Sequence, residues 1–303
     1  MPEPSLTELL SPAALAGIDD FSFLARITVE GFLSGLHRSV YQGYGSEFFQ
    51  YRQYTPGDDL KYIDWKASAR RDRVAYTKVF QKETNMACWL VLDVSGSMAY
   101  RGSRAPCSKL RYATMAAACL AYLAHRQGDA VGLFAYSDRV QARIPPGQVV
   151  GQLRRVLTEL ASLEPGAAAD HEQHLGAFLE TARRHAVVVL VSDLLDGDHL
   201  LPGLLRRFRA ARHEPVVIQV LDPDELDLPF ERTMRFVDAE TGAQRITAPD
   251  LIRERYCESI RRFIADLELA CLANDTDFLQ VRSSQHLGHT LAAYLHRRES
   301  MHP

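Results

Sequence analysis

Two short apolar runs, each closed by an aspartate, constrain this chain more than any other feature. Ala87–Leu92 (ACWLVL) leads straight into Asp93, and Ala186–Ser192 (AVVVLVS) into Asp193. Apolar runs of this length without alternation suit strands covered on both faces, as in a parallel sheet. The segments around them have helical period and caps. Ser108 caps a helix over Lys109–Gln127, stopped by Gly128, and its stripe Ala116, Cys119, Leu120 and Leu123 reads as core packing. Ala130–Tyr136 and Val216–Leu221 read as further strands. Val149–Leu163, Leu175–Arg184 and His199–Arg212 read as helices, with a loop over Glu164–Gln173. Strands alternating with helices at this spacing predict an α/β fold, a doubly wound, mostly parallel sheet flanked by helices with right-handed crossovers. After Asp222 the pattern predicts a hairpin (Met234–Val237 and Gln244–Thr247, turning near Thr241-Gly242). A helix over Pro249–Ala273, a strand over Phe278–Val281 and a last helix over Gln285–Arg297 follow.

The N-terminal part differs. Residues 1–40 have rough helical periodicity, and residues 41–75 are rich in Tyr, Gly, Asp and Arg, with a turn at Pro56-Gly57. Val74–Phe80 alternates like a strand. The expected organisation is a segment 1–83 packing on an α/β domain, 84–303. The 303 residues suffice for a sizeable core, and 47% hydrophobic with 24% charged residues exclude a disordered chain. A net charge of −3 argues against a nucleic-acid binder or a polybasic membrane anchor. Five cysteines without Cys-x-x-Cys argue against a disulfide scaffold or a cysteine zinc site. The N-terminus lacks a basic stretch followed by an apolar one, and the longest apolar runs fall short of the roughly 20 residues a bilayer needs. These features predict a cytoplasmic protein with no membrane insertion.

In open α/β sheets ligands sit at the carboxyl ends of the strands. There the chain carries Asp93-Val94-Ser95-Gly96-Ser97-Met98 and, on a second strand, Asp193. A carboxylate and two hydroxyls at alternate positions can face one way, with Gly96 letting the backbone bend. Oxygen donors of this kind favour Mg2+, or Mn2+ or Ca2+, over zinc or copper. Neutral hydroxyl ligands leave such an ion charge with which to attract another protein's carboxylate. The bland alternative is a polar turn that caps a helix. Enzymatic readings are weaker: an aspartyl phosphatase wants a second Asp where Ser95 stands. The chain has no Gly-x-Ser-x-Gly elbow and no Walker A loop, and Gly43-Tyr44-Gly45 lacks the third glycine of a dinucleotide loop.

Asp93-Val94-Ser95-Gly96-Ser97 resembles the metal-ion-dependent adhesion site of von Willebrand factor type A domains. The segments Gly45-Ser46-Glu47-Phe48, Arg52-Gln53-Tyr54-Thr55-Pro56-Gly57-Asp58-Asp59, Tyr62-Ile63-Asp64-Trp65-Lys66, Ala69-Arg70 and Tyr76-Thr77-Lys78 with Glu83 resemble the bacterial family called domain of unknown function fifty-eight. That resemblance implies a type A-like fold. It also implies partnership with a MoxR-type AAA+ ATPase in chaperone-like maturation of a client protein, sometimes by metal insertion. Larger relatives carry N-terminal transmembrane helices; the resemblance here implies a soluble version. Ser95 and Ser97 are then expected as direct ligands, Asp93 and Asp193 as acting through water, and the sixth position as open to a partner's carboxylate. The loop that usually supplies a Thr reads Gly166-Ala167-Ala168-Ala169-Asp170 here, so Ala169 stands at its place and Asp170 is the substitute candidate.

Other clusters are read more plainly. His171 and His174, with Asp170 and Glu172, have zinc-like spacing but no third histidine nearby, and read as a solvated polar loop. His286 and His289 repeat that spacing and that reading. Asp58, Asp59 and Asp64 with Arg52 and Arg70 read as a structural ion-pair network, with nothing that looks like a nucleophile and its base. Lys61–Lys82, with seven basic and two acidic residues, reads as a solvated edge or a face for an acidic protein rather than for nucleic acid. The whole predicts a non-enzymatic, metal-assisted protein-binding module, an adaptor or co-chaperone of a MoxR-type ATPase. A metal-dependent hydrolase using Asp93 and Asp193, and a scaffold with a vestigial ion site, are the alternatives.

Overall fold

The computed structural model describes residues 11–39, 51–53, 76–78, 86–182, 185–195 and 200–301. The chain divides into two compact units, Met1–Gly31 with Asn85–Pro303, and Phe32–Thr84. The described residues begin with α1 (Pro12–Ala16) and α2 (Phe21–Ser39). Within the 32–84 unit, β1 (Tyr51–Gln53) pairs antiparallel with β2 (Tyr76–Lys78). The expected ion-pair network of Asp58, Asp59, Asp64 and Arg70 lies outside the described residues, as does most of the basic run.

The larger unit continues with β3 (Ala87–Asp93), α3 (Lys109–Arg126), β4 (Ala130–Tyr136), β5 (Val140–Gly147), α4 (Gln152–Ser162) and α5 (His171–Thr181). Then come β6 (Ala186–Ser192), α6 (Leu201–Ala210), β7 (Glu214–Leu221), α7 (Pro223–Asp227), the hairpin β8 (Met234–Val237) and β9 (Gln244–Thr247), α8 (Pro249–Ala273), β10 (Asp277–Arg282) and α9 (Leu287–Met301). Six strands form one sheet in the order β10-β7-β6-β3-β4-β5. All neighbours are parallel except β5, which runs antiparallel to β4. The fold is the expected α/β architecture. Sequence reading missed β5 because Pro145 and Pro146 suppress the strand signal, and proline is tolerated only on an edge such as this one.

The physical reasons are local. Val187–Val191 and Leu90–Leu92 are buried because helices cover both sheet faces. On one face Trp89, Phe134, Phe178 and Phe208 interlock, with Phe178 5.2 Å from both the Trp89 and Phe134 rings. On the other lies α3, whose alanines let it approach the sheet closely, and nearly all its side chains are buried. Ser108 caps it, its hydroxyl accepting from the Arg111 N–H at 3.2 Å. Residues 11–31 belong to this unit rather than to a separate N-terminal segment. Leu15, Phe21, Leu24 and Val29 are buried, and Arg111 donates to the carbonyls of Ala16 and Ile18 while stacking on Phe21.

Candidate functional site at the strand tips

The strand order reverses between β3 and β6, whose carboxyl ends carry Asp93 and Asp193. This is the switch point at which open α/β sheets place their ligands. Asp93 Oδ1 accepts the Ser95 N–H at 2.8 Å, which folds the chain back after β3. Asp93 Oδ2 accepts the Ser192 hydroxyl at 2.6 Å. That same hydroxyl oxygen accepts the Leu194 N–H at 3.0 Å, so Ser192 ties the two strand tips together. Leu194 holds φ at 58°, a left-handed conformation that costs a branched residue about 1–2 kcal/mol and that its burial offsets. The Ser95 and Ser97 hydroxyls lie 3.1 Å apart.

Close packing covers this turn. A Cβ on Gly96 would stand 2.8 Å from the Ala239 carbonyl oxygen, so the tip of the β8–β9 hairpin lies directly against it. The Gly166 N–H donates to the Val94 carbonyl at 2.7 Å, bringing in the loop before α5. The rim of the site is thus built from three backbone turns, at 95–97, 166 and 239.

The residue that sequence reading missed is Lys109. Its side chain is fully buried, and its ammonium donates to Asp193 Oδ2 at 2.7 Å and to Glu225 Oε1 at 2.5 Å. Burial pulls the pKa of this ammonium down. The carboxylates of Asp193 and Glu225 more than offset that and hold it above its ordinary value. Glu225 comes from α7, where it closes a capping box with Asp222, and burial pushes its carboxyl up. Burial, and then the nearby Asp193 charge, push Asp93 up as well. Lys109 opens α3, and a cation is unfavourable at a helix N-terminus. The sequence does not set this lysine apart, because Arg111 stands in the same first turn. Nearby, Gly102 donates to Asp222, and Arg104 pairs with Asp224 and Asp227, fastening the loop before α3 to α7.

Asp170 does not join the cluster. It is exposed and caps α5, accepting the Gln173 N–H at 2.9 Å. The helix starts at His171, four residues before the expected start. His171 and His174 are therefore buried on its first turn instead of solvated in a loop. Burial, and next the charges of Asp93 and Asp193, raise Tyr136 well above its usual value, so it stays a phenol. Its hydroxyl and His171 Nδ1 share a hydrogen bond of 3.0 Å, and His171 Nε2 stands 3.9 Å from Asp93 Oδ2. His289 is exposed and His286 half-buried, its Nδ1 accepting the Gly288 N–H.

The resemblance implies a divalent ion here, and these residues do not fit one. Asp193 is already neutralised by an ammonium. Both oxygens of Asp93 have protein donors, the two serine hydroxyls hold each other, and Ala169 packs against the core where an oxygen ligand is wanted. Among the described residues no group of three or more His, Cys, Asp or Glu side chains is placed to hold a metal ion.

Residues 50–264 match the family described as "Protein of unknown function DUF58". The chain belongs to this family. Among curated proteins, the DUF58 chain is similar to "Uncharacterized protein Rv1480" of Mycobacterium tuberculosis, at 27% identity over 90% of this chain and 86% of that one. It is equally similar to "Uncharacterized protein Mb1516" of Mycobacterium bovis. Among solved structures, BatB from Bacteroides thetaiotaomicron overlays with a TM-score of 0.47 at 14% identity, covering 71% of this chain and 99% of that one. The SpRpn10 VWA domain overlays at 0.43 and 13%, covering 69% and 94%. Among the described residues of the DUF58 chain, no helix is long and apolar enough to cross a membrane.

Proposed function

We propose that this chain is a non-enzymatic protein-binding module, an adaptor that presents the rim of the strand tips to a MoxR-type AAA+ ATPase acting on a client protein. One observation carries the binding reading: the two strand-tip carboxylates and His171 are buried and bonded to protein. Asp93 is held by Ser95 and Ser192, Asp193 by Lys109, and His171 by Tyr136. A hydrolase needs its acid, base or nucleophile within reach of substrate, whereas these groups stiffen the turns above them. What they stiffen is a pre-formed surface of backbone and small side chains, in which Ser97 is half-buried and Asp238 and Ala239 are exposed. Such pre-organisation lowers the ordering cost of association. The ATPase as partner rests on the family resemblance.

The test is co-elution of the full chain with a purified MoxR-type ATPase from the same organism. Wild type is expected to co-elute, and Ser97→Arg to weaken binding by at least about tenfold, or 1.4 kcal/mol. Binding that is indifferent to Ser97→Arg and to changes at Asp238 and Ala239 removes the rim from the mechanism. Failure of the wild type to co-elute removes the ATPase.

A further inference from the structure

We infer that Lys109 is the resident cation of this site, that its ammonium takes the charge-balancing part a divalent ion plays in a metal-dependent type A domain, and that the site works without metal. The inference deepens the adaptor reading, and its tests need no partner, so the two fail separately.

The argument starts from burial. A fully buried lysine must be paired. The two ion pairs of Lys109 are with Asp193, at the tip of β6, and with Glu225, on α7. Swinging the ammonium out to make room for an ion would leave Asp193 without its 2.7 Å partner. Keeping it in place puts a positive charge against one of the two carboxylates a metal would use. The acid side of the balance is constructed as well. Glu225 is held toward Lys109 by the capping box, its other carboxylate oxygen accepting the Asp222 N–H at 2.8 Å. The remaining strand-tip carboxylate, Asp93, already accepts a backbone N–H from Ser95 and the Ser192 hydroxyl, both supplied by protein. The ammonium and its two acids thus come from three separate elements, α3, the tip of β6 and α7. A fixed lysine makes their assembly permanent, whereas a metal would make it conditional on ion supply.

Two measurements on the full chain decide this. In the first, Mn2+ is titrated and free ion is read by electron paramagnetic resonance. Wild type is expected to leave the signal unchanged up to roughly 10 mM, above the affinity range of weak protein sites. Saturable one-to-one uptake that Ser95→Ala abolishes overturns the inference. The second compares thermal midpoints of Lys109→Met, Lys109→Arg and the double variant Lys109→Met/Asp193→Asn. The Met variant is expected to lose stability, the Arg variant to keep most of it, and the double variant to regain part of what Met lost. If Lys109→Met does not fold, recovery of folded protein in the double variant supports the inference. A double variant no better than Lys109→Met overturns it, as does a Met variant as stable as wild type.

Discussion

Replacing Lys109 by methionine keeps the length and apolar body of the side chain and deletes only the ammonium. Asp193 and Glu225 then face each other without a counter-charge. Removing one member of a buried ion pair costs about 3–5 kcal/mol, because the survivor is left charged and unpaired. Most of that falls on Asp193, whose side chain is 4% exposed, whereas Glu225 at 17% reaches some solvent. At about 2–4 °C per kcal/mol for a large domain, the midpoint falls by roughly 6–20 °C near neutral pH. The loss depends on pH. Without the ammonium, the carboxyls at the strand tips bind protons more readily folded than unfolded, so acidification favours the folded variant. The deficit against wild type is therefore expected to shrink between about pH 7.5 and pH 5.5, approaching the carboxylate range. The assay is thermal unfolding followed by circular dichroism at both pH values. A midpoint within about 2 °C of wild type at both, less than the smallest loss calculated above, would falsify the claim that this ammonium balances buried charge.

Other perturbations follow the same logic. Asp93 has a raised pKa, so its carboxylate destabilises the fold above that pKa and the penalty is relieved as pH falls toward the unfolded value of 3.8. Asp93→Asn is expected to raise the midpoint by a few degrees near pH 8, an advantage that fades in acid; a loss at every pH in a melting series refutes this. Tyr136→Phe leaves His171 Nδ1 without its hydrogen-bond partner and is expected to cost about 1–3 kcal/mol in urea unfolding. Gly96→Val drives a branched side chain into the Ala239 carbonyl and pushes the hairpin tip away. Limited proteolysis is then expected to cut near residues 238–243 faster than in wild type, with the global midpoint changed less than in Lys109→Met. Phe178→Ala, which empties the place between Trp89, Phe134 and Phe208, is expected to cost about 3–5 kcal/mol.

The sequence by itself determined the sheet and the place of the site. Apolar runs such as Ala87–Leu92 and Ala186–Val191 have one comfortable environment, a strand covered on both faces, and the aspartates after them must emerge at the carboxyl edge. The Asp93–Ser97 turn was legible in part for the same reason: the Ser95 N–H to Asp93 bond and the Ser95–Ser97 contact each join residues two apart. Caps such as Ser108 are local in the same way. What the tertiary structure decided is everything that depends on which distant groups meet. Lys109 reads as an ordinary solvated lysine until Asp193, 84 residues on, and Glu225, 116 residues on, are seen around it. Asp170 reads as a spare ligand until its carboxylate is seen capping α5, and His171 as a loop residue until Tyr136 claims its ring nitrogen. Charge and hydrogen-bond partners act over a few ångströms of space with no regard to separation along the chain, so the chemistry of this site became readable only when the strands were side by side.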